Sequence, residues 1–259
     1  MAEVSLWCPA CKDRLNLDND FLKCQNCLNI YPIKNGIPYF LKNVKSDKAS
    51  IIKFNILAQV YELFEYSWYF KFFSGVECPT RTELREMIGG LFKIKGAILD
   101  VSSGPGTLTR HLANKDSKVF AVDYSMEMIG KGLGYIKRDG IENYKFLCSI
   151  VESLPFANQS FDGAVMGFAL YLYKDPVLVL KEIKRVLKPG SKLVVVTFFN
   201  GNGGILKYDF GRFFASLKGM RIYKIEEIKE IFKKAGFSEF NPKTYGSLMV
   251  FSTVSKQLE

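Results

Sequence analysis

The sequence predicts an α/β fold with a mostly parallel sheet, preceded by a small metal-binding module. In segment 97–123 an apolar strand, a glycine-rich turn, a helix and a second apolar strand follow one another. Farther along, 193–198 and 248–254 have the composition of buried strands, with a helix pattern at 225–235 between them. Four cysteines, arranged in two closely spaced pairs, lie near the N-terminus. These patterns indicate a layered α/β domain that follows a small module.

The composition is that of a globular protein, with 48% apolar and 24% charged residues in a chain of 259. This length accommodates one large domain and a small module. An excess of 36 Lys and Arg over 26 Asp and Glu gives a net charge of +10, which favours contact with nucleic acid or an anionic membrane surface. The densest basic cluster has helical spacing and predicts a solvated helix face, with an RNA-binding strip as the alternative. It comprises Lys181, Lys184, Arg185 and Lys188.

The first residues contain no basic segment followed by an apolar stretch. No apolar run approaches the length of about 18 residues that a membrane-spanning helix needs. We therefore expect a cytoplasmic protein without a transmembrane segment. In such a reducing compartment, cysteines stay available for metal binding.

The four N-terminal cysteines have the spacing of a zinc site. Cys8 and Cys11 form one Cys-x-x-Cys pair, Cys24 and Cys27 form the other, and twelve residues separate the pairs. Two such pairs complete a tetrahedral shell of four thiolates that leaves no position for water, so we expect a structural Zn²⁺. Two disulfides are the alternative. The other cysteines, Cys78 and Cys148, are expected to be inert thiols.

The cysteine pairs belong to a longer motif. Short apolar segments in 28–41 are broken at Asn35-Gly36, which predicts a small hairpin. Together with the Cys-Pro-x-Cys pair, the run Tyr-Pro-Ile-x-Asn-Gly-Ile-Pro at 31–38 resembles the zinc-ribbon activator subunit of tRNA and protein methyltransferases. The resemblance covers residues 6–41 and leaves open whether a protein partner docks on this ribbon.

The turn in segment 97–123 suggests a binding site for a nucleoside cofactor. Glycines at 104 and 106 would let the backbone approach a ligand, and the following helix start favours a negative group such as a carboxylate. Asp100 would repel a pyrophosphate but attract an ammonium or a sulfonium. Asp123, at the end of the next strand, is placed to accept hydrogen bonds from ribose hydroxyls. These features fit a cofactor with an amine, a carboxylate and a ribose but no phosphate.

Five motifs, in order, resemble those of the class I S-adenosylmethionine-dependent methyltransferases, and especially of the ubiquinone/menaquinone-biosynthesis-like group. They lie at 99–106, 121–125, 152–156, 160–165 and 182–190. The resemblance implies a seven-stranded, mostly parallel Rossmann-like sheet with helices on both faces and an antiparallel last strand. It also implies S-adenosylmethionine as the cofactor.

By position, the family's cofactor contacts fall on residues at the ends of three strands. They are Asp100, Ser102, Gly104, Gly106, Asp123, Tyr124, Ile150 and Val151. Ser102 stands where the family usually has its first glycine. Ile150 occupies the place of the acid that commonly accepts a hydrogen bond from the adenine amino group. Loss of that contact would weaken binding by about 1 to 3 kcal/mol.

The segment between the ribbon and the cofactor motifs starts with a short polar stretch, 42–50, as in a linker. In 54–73 apolar and aromatic residues recur near the helical repeat. We expect this helix to pack on the core. A lid over cofactor and acceptor, or an interfacial membrane helix, is the alternative. We therefore expect a zinc ribbon (1–43), a linker with aromatic lid helices (44–95) and a methyltransferase domain (96–259).

The methyl acceptor would bind near the end of the fourth strand. Phe168, Tyr171 and Tyr173 are the candidate residues there, and 200–220 is a candidate acceptor-side loop. The Asn/Asp-Pro-Pro-aromatic motif of enzymes that methylate base amines does not occur in this region. No catalytic residue is assigned, because methyl transfer from a sulfonium depends mostly on positioning and on the exclusion of water.

The leading hypothesis is a methyltransferase with a small-molecule or lipid-like acceptor. An RNA methyltransferase that uses the ribbon for substrate binding is the second hypothesis, and a non-catalytic adaptor is another. A nicotinamide-dependent oxidoreductase is disfavoured, since Thr109 stands where that fingerprint needs a third small residue and Asp100 opposes the phosphates.

Overall fold

The structure is a computed structural model that describes residues 4–41, 95–205, 208–217 and 219–255, with Phe72, Gly75, Glu83 and Ile88 between the first two ranges. The linker and aromatic helix predicted within 44–95 therefore lie almost wholly outside the described residues. Cys78 lies outside them as well. The division of the chain at residues 43 and 95 stays a prediction.

The N-terminal module is a four-stranded antiparallel sheet. Its strands are β1 (Leu15–Asp18), β2 (Phe21–Cys24), β3 (Ile30–Lys34) and β4 (Ile37–Pro38). The hairpin predicted at Asn35-Gly36 joins β3 to β4. Both turn residues have positive φ angles, 51° and 77°, which suit asparagine and glycine.

The main sheet has seven strands in the order β10-β11-β9-β8-β5-β6-β7. They are β5 (Gly96–Val101), β6 (Ser117–Asp123), β7 (Tyr144–Cys148), β8 (Phe161–Gly167), β9 (Leu187–Phe198), β10 (Phe237–Tyr245) and β11 (Leu248–Ser255). The neighbours from β9 to β7 pair in parallel, whereas β11 is antiparallel to both β9 and β10. The predicted sheet and its antiparallel last strand are confirmed.

Helices cover both faces of this sheet. They are α1 (Thr107–Leu112), α2 (Met126–Arg138), α3 (Pro176–Val186), α4 (Asp209–Leu217) and α5 (Ile225–Lys234). On one face α3 and α5 pack against a cluster that includes Leu99, and on the other face α1 and α4 pack against a cluster that includes Ile98. Consecutive residues of a buried strand thus serve opposite faces. None of the helices within the described ranges is long and apolar enough to cross a membrane.

Two expectations about local structure need correction. The basic cluster is not a single solvated helix face, because α3 ends at Val186 and Lys188 lies on β9, where its Nζ is 2.5 Å from Asp162 Oδ1. Arg185 also points inward, toward Glu182 and backbone carbonyls. Segment 200–220 is not only a loop, since it contains α4.

The ribbon packs directly against the edge of the main sheet. Phe40 N–H donates to Cys148 O at the end of the edge strand β7 (2.8 Å), and Trp7 N–H donates to Pro155 O (2.9 Å). Cys8 and Tyr31 of the ribbon belong to the same buried cluster as Leu154. The two sheets therefore share a continuous apolar core.

Candidate functional site

The candidate site lies at the carboxyl ends of β5 and β6, which pair in parallel. On the other side of β5 lies β8, so the order of connection reverses at β5. In open α/β sheets such a reversal opens a crevice at the carboxyl ends of the strands, where ligands bind. Asp100 and Asp123 are both near this edge, and they are 1% and 6% exposed. The fold thus brings together the two acids that the sequence singled out.

Asp100 is a buried carboxyl group with one hydroxyl partner. The Thr109 hydroxyl donates to Asp100 Oδ2 at 2.6 Å. Burial raises the pKa of Asp100 to about 7, and the charge of Asp123 acts in the same direction, while the hydrogen bonds from Thr109 oppose the rise. A cation near this carboxyl would favour its ionised form. Thr109 is thus a support for Asp100 that sequence analysis did not identify.

The Asp123 carboxylate accepts hydrogen bonds from the turn after β5 and from the residues that follow β6. Its Oδ2 accepts a hydrogen bond from Gly104 N–H (2.8 Å), and its Oδ1 accepts one from Ser125 N–H (2.9 Å). Burial raises the pKa of Asp123, while these backbone donors oppose the rise. The carboxylate is therefore tied to the glycine turn, and a ribose would have to share or replace the Gly104 contact.

The backbone conformation of the turn after β5 accounts for the glycines at 104 and 106. Gly104 has a φ of 54°, and a Cβ there would meet no atom within 4 Å, so open space lies beside it. Gly106 has a φ of 73°, and a Cβ there would come within 2.9 Å of the Phe146 ring. Gly104 therefore leaves room for a ligand, while Gly106 is required by packing.

Ser102 and Ser103 occupy the same turn. Ser102 has a φ of 52°, a conformation that favours glycine, the residue that the family resemblance implies at this position. Its Oγ is 2.6 Å from Tyr173 Oη, which ties the turn to the segment after β8. Ser103 Oγ is buried and has no hydrogen-bond partner in the part of the chain that the structure describes. Sequence analysis did not single out Ser103, although a buried unpaired hydroxyl in this turn is suited to a polar ligand.

The third part of the predicted cofactor site follows β7. Ser149 N–H donates to Asp123 O (2.9 Å), so this segment lies next to the end of β6. Ile150 is half-buried and precedes a short 3₁₀ turn that begins with Val151, which is buried. Tyr124 is half-buried, and burial raises the pKa of its phenol.

Aromatic side chains line the segment after β8. The Tyr171 ring stacks on Phe198 with a centroid distance of 5.4 Å, and the Phe168 ring tilts against Phe198 at 5.7 Å. Phe168 has a φ of 55°, which a bulky residue adopts only when its surroundings hold it there. Burial raises the pKa of Tyr173. Phe198, at the end of β9, is a member of this group that the sequence did not reveal.

The four ribbon cysteines converge. Their Sγ atoms all lie within 4.8 Å of one another. Side chains outside the group also contact these sulfurs: Tyr31 Oη is 3.3 Å from Cys8 Sγ, and Asn29 Nδ2 donates to Cys27 Sγ at 3.2 Å. Cys148 lies apart from the group, and burial raises its pKa to about 12, so that it stays a protonated thiol as expected.

Comparison with known proteins agrees with the geometry. The model of the methyltransferase domain family matches residues 99–195. A demethylmenaquinone methyltransferase of Geobacillus stearothermophilus is 31% identical over 172 residues, which cover 57% of this chain and 73% of that protein. One of Lactococcus lactis is 29% identical over 173 residues, covering 58% of this chain and 69% of that protein.

A solved structure shows the same fold. It is an S-adenosylmethionine-dependent methyltransferase from Aquifex aeolicus, with a TM-score of 0.55, 20% identity, and coverage of 82% of this chain and 100% of that chain. The seven-stranded, mostly parallel sheet, the two acids at adjacent strand ends and the glycine turn are the features that the sequence motifs predicted. The chain belongs to the class I S-adenosylmethionine-dependent methyltransferases.

Proposed function

We propose that this protein transfers a methyl group from S-adenosylmethionine to a ring carbon of a small, lipid-like hydroquinone. The observation that carries the proposal is the aromatic group formed by Phe168, Tyr171 and Phe198 at the acceptor side of the cofactor crevice. A planar ring packs well against such side chains. The names of the relatives, demethylmenaquinone methyltransferases, support an acceptor of the same class.

The proposed cofactor contacts follow from the site's shape and charge. Asp100 would face the ammonium of the methionine part, and Asp123 the ribose hydroxyls. The open space beside Gly104 would accommodate the backbone of the ligand, and Ser103 Oγ would gain a partner. Ile150 would contact the adenine through apolar surface alone. Compared with the acid that the family commonly has at this position, it would lack a hydrogen bond worth about 1 to 3 kcal/mol.

The cofactor supplies an electrophilic methyl group on a sulfonium. The residues of this chain hold and orient the reactants. The hydrogen bond between Ser102 and Tyr173 holds the glycine turn close to the segment after β8, where the acceptor would bind. The aromatic group would exclude water and orient the acceptor ring toward the methyl group that the cofactor supplies. An ionised hydroxyl of a hydroquinone would make its own ring carbon nucleophilic. After that carbon takes the methyl group, the hydrogen that it carried would leave as a proton to solvent and the ring would regain its aromaticity, so we assign no side chain as the base.

Tyr171 tests whether the aromatic group acts by packing. Its side chain is buried and stacked on Phe198. We expect Tyr171→Phe to keep kcat/KM within about threefold, because the stacked ring remains. We expect Tyr171→Ala to lower kcat/KM at least about fivefold, since the lost stacking is worth about 1 kcal/mol or more. Steady-state kinetics with a hydroquinone acceptor measure both. If Tyr171→Phe were as impaired as Tyr171→Ala, the hydroxyl would carry the function instead.

The acceptor class is tested with methyl-labelled cofactor. The purified protein is incubated separately with a lipid extract, total RNA and a protein extract, and then with a defined 1,4-naphthohydroquinone that carries an isoprenoid tail and a free ring position. We expect label in the lipid pool and a product in which a methyl group replaces the ring hydrogen, identified by mass spectrometry. The matched control is the oxidised quinone, which lacks the electron-rich carbon and should remain unmethylated.

Label in RNA would contradict the proposal and favour the alternative of an RNA methyltransferase. Label in protein would contradict it equally. Equal methylation of quinone and hydroquinone would show that the acceptor carbon is not activated in the way proposed.

We also propose that Cys8, Cys11, Cys24 and Cys27 bind one structural Zn²⁺. A tetrahedral site with Zn–S bonds of about 2.3 Å places neighbouring sulfurs about 3.8 Å apart. The distances of 3.5 Å from Cys8 Sγ to Cys27 Sγ and 3.4 Å from Cys11 Sγ to Cys24 Sγ are close to this value. The hydrogen bonds from Asn29 and Tyr31 are of the kind that stabilise bound thiolates.

A further inference from the structure

We infer that Lys12 of the ribbon is a positioning residue for the adenine side of the cofactor site, given the zinc and cofactor sites proposed above. The segment that it positions is residues 149–156, here called the adenine loop. Through this contact, metal binding by the ribbon would control how tightly the catalytic domain holds its cofactor.

Lys12 is fixed by the first cysteine turn. It directly follows Cys11, its N–H donates to Cys8 O at 2.9 Å, and its φ is 56°. This tight turn is the backbone that wraps around the metal in a Cys-x-x-Cys pair. Loss of the metal would release the turn and with it the direction in which the Lys12 side chain points.

The Lys12 side chain reaches the adenine loop and α3 together. Its Nζ donates to Glu182 Oε1 (2.9 Å), to Leu154 O (3.3 Å) and to Ser153 Oγ (3.3 Å). Lys12 and Glu182 are 170 residues apart in the chain. The Lys12 side chain is 35% exposed and that of Glu182 is 11% exposed, so water screens this ion pair less than it screens an ion pair on the surface.

Glu182 and Arg185 hold the same loop from the other side. Glu182 Oε1 accepts a hydrogen bond from Leu154 N–H (2.7 Å), and Glu182 Oε2 accepts one from Arg185 Nε (2.7 Å). Arg185 in turn donates to Phe156 O (2.8 Å) and Leu154 O (3.2 Å). Lys12 thus completes a charged group that satisfies both the N–H and the carbonyl of Leu154.

Main-chain groups of the ribbon also contact the second half of the loop. Ser153 Oγ donates to Pro9 O (2.8 Å), and Trp7 N–H donates to Pro155 O (2.9 Å). The same loop contains Ile150 and Val151, the residues proposed to contact adenine. Ile150 stands where the family commonly has an acid that accepts a hydrogen bond from adenine. Without that hydrogen bond, adenine binding would depend on the fit between the adenine ring and the loop surface. The ribbon contacts that hold the loop in place would therefore affect binding.

The test compares Lys12→Met with Arg14→Met. Both substitutions remove one positive charge from the ribbon, but Arg14 is exposed. We expect Lys12→Met to bind S-adenosylhomocysteine about 5- to 20-fold more weakly, as measured by calorimetry, because a charge-assisted hydrogen bond to the loop is lost. Arg14→Met should bind like the wild type, and Lys12→Arg should restore affinity to within about threefold. Zinc content, measured by atomic absorption, should stay at that of the wild type in all three variants.

Hydrogen exchange separates positioning from a general loss of stability. In Lys12→Met we expect faster exchange of the amides at 150–156, with exchange in β5 and β6 unchanged. In steady-state kinetics the KM for the cofactor should rise while kcat changes little. If Lys12→Met does not fold, Glu182→Gln provides the second variant, since it keeps an acceptor for Leu154 N–H and removes the charge.

Unchanged affinity and unchanged loop exchange in Lys12→Met would overturn the inference. Equal loss of affinity in Arg14→Met would also overturn it, because net charge would then be the cause. Loss of zinc in Lys12→Met would assign Lys12 to the metal site instead and would overturn it as well. A wild-type protein that binds zinc but no S-adenosylhomocysteine would refute the proposed cofactor contacts themselves, a result distinct from all of these.

Discussion

Replacing Asp100 by asparagine is expected to stabilise the ligand-free protein and, at the same time, to weaken cofactor binding. The folded protein holds the Asp100 proton more tightly than the unfolded chain, because burial raises its pKa from 3.8 to about 7. As the pH rises from about 4 to about 7, the unfolded chain releases this proton while the folded protein keeps it, so the free energy of unfolding falls. Above that window the penalty is constant. Asparagine has no proton to lose and avoids the penalty.

The stability difference should therefore grow across this pH window. Denaturant unfolding at pH 4 should give nearly equal stabilities for wild type and Asp100→Asn. At pH 8 the variant should be more stable by an amount on the order of 2 to 4 kcal/mol. Asp116→Asn is the matched control, because Asp116 is exposed and its ion pair with Lys95 is long, with Lys95 Nζ 3.7 Å from Asp116 Oδ2. If Asp100→Asn were less stable than the wild type at pH 8, ionisation of the buried Asp100 carboxyl would not destabilise the folded protein as we expect.

Cofactor binding should change in the opposite direction. We expect Asp100→Asn to bind S-adenosylhomocysteine about 10- to 100-fold more weakly at pH 8, because the ligand ammonium loses a charged partner worth about 1.5 to 3 kcal/mol. In the wild type, affinity should also fall as the pH decreases below 7, since Asp100 must release its proton before it can attract the cation. Calorimetry at pH 6, 7 and 8 measures both effects. Equal affinity in variant and wild type would show that Asp100 does not contact the ligand.

Removal of the ribbon metal is the second change with a large expected effect. We expect wild-type protein to contain one Zn²⁺ per chain, and Cys24→Ala to contain none. Loss of the metal should unfold the ribbon, because a module of this size lacks an adequate core of its own. It should also destabilise the main domain by about 2 to 4 kcal/mol, since buried ribbon residues such as Tyr31 and Phe40 belong to the core cluster of that domain.

The matched control for Cys24→Ala is Cys148→Ala. Both cysteines are fully buried, at 0% exposure, but Cys148 does not belong to the group of four cysteines in the ribbon. Native mass spectrometry should find one zinc in Cys148→Ala and none in Cys24→Ala, and thermal unfolding should show the larger loss for Cys24→Ala. A wild-type ribbon that keeps its amide protection after complete chelation would contradict a structural role for the metal.

Local patterns were sufficient to predict the main elements of the fold. The sequence of strand, glycine turn, helix and strand at 97–123 depends on short-range preferences, and it correctly placed Asp100 and Asp123 at adjacent strand ends. Prediction failed where a residue's role depends on distant parts of the chain. The spacing of the basic cluster indicated a helix, yet Lys188 lies on β9 beside Asp162. Pro189 and Gly190 directly follow Lys188 and signal that a helix ends nearby, but helical periodicity alone does not take this signal into account.

The amino-acid sequence by itself determined the α/β class, the two cysteine pairs and the residue types of the cofactor turn, because these follow from spacing and backbone preference over a few residues. Only the tertiary structure decided how those parts work together. Burial between packed layers sets the protonation of Asp100, and contacts across 170 residues bring Lys12 to Glu182 and the adenine loop. Both effects depend on which surfaces exclude water, and this is settled only when the sheets and helices have packed.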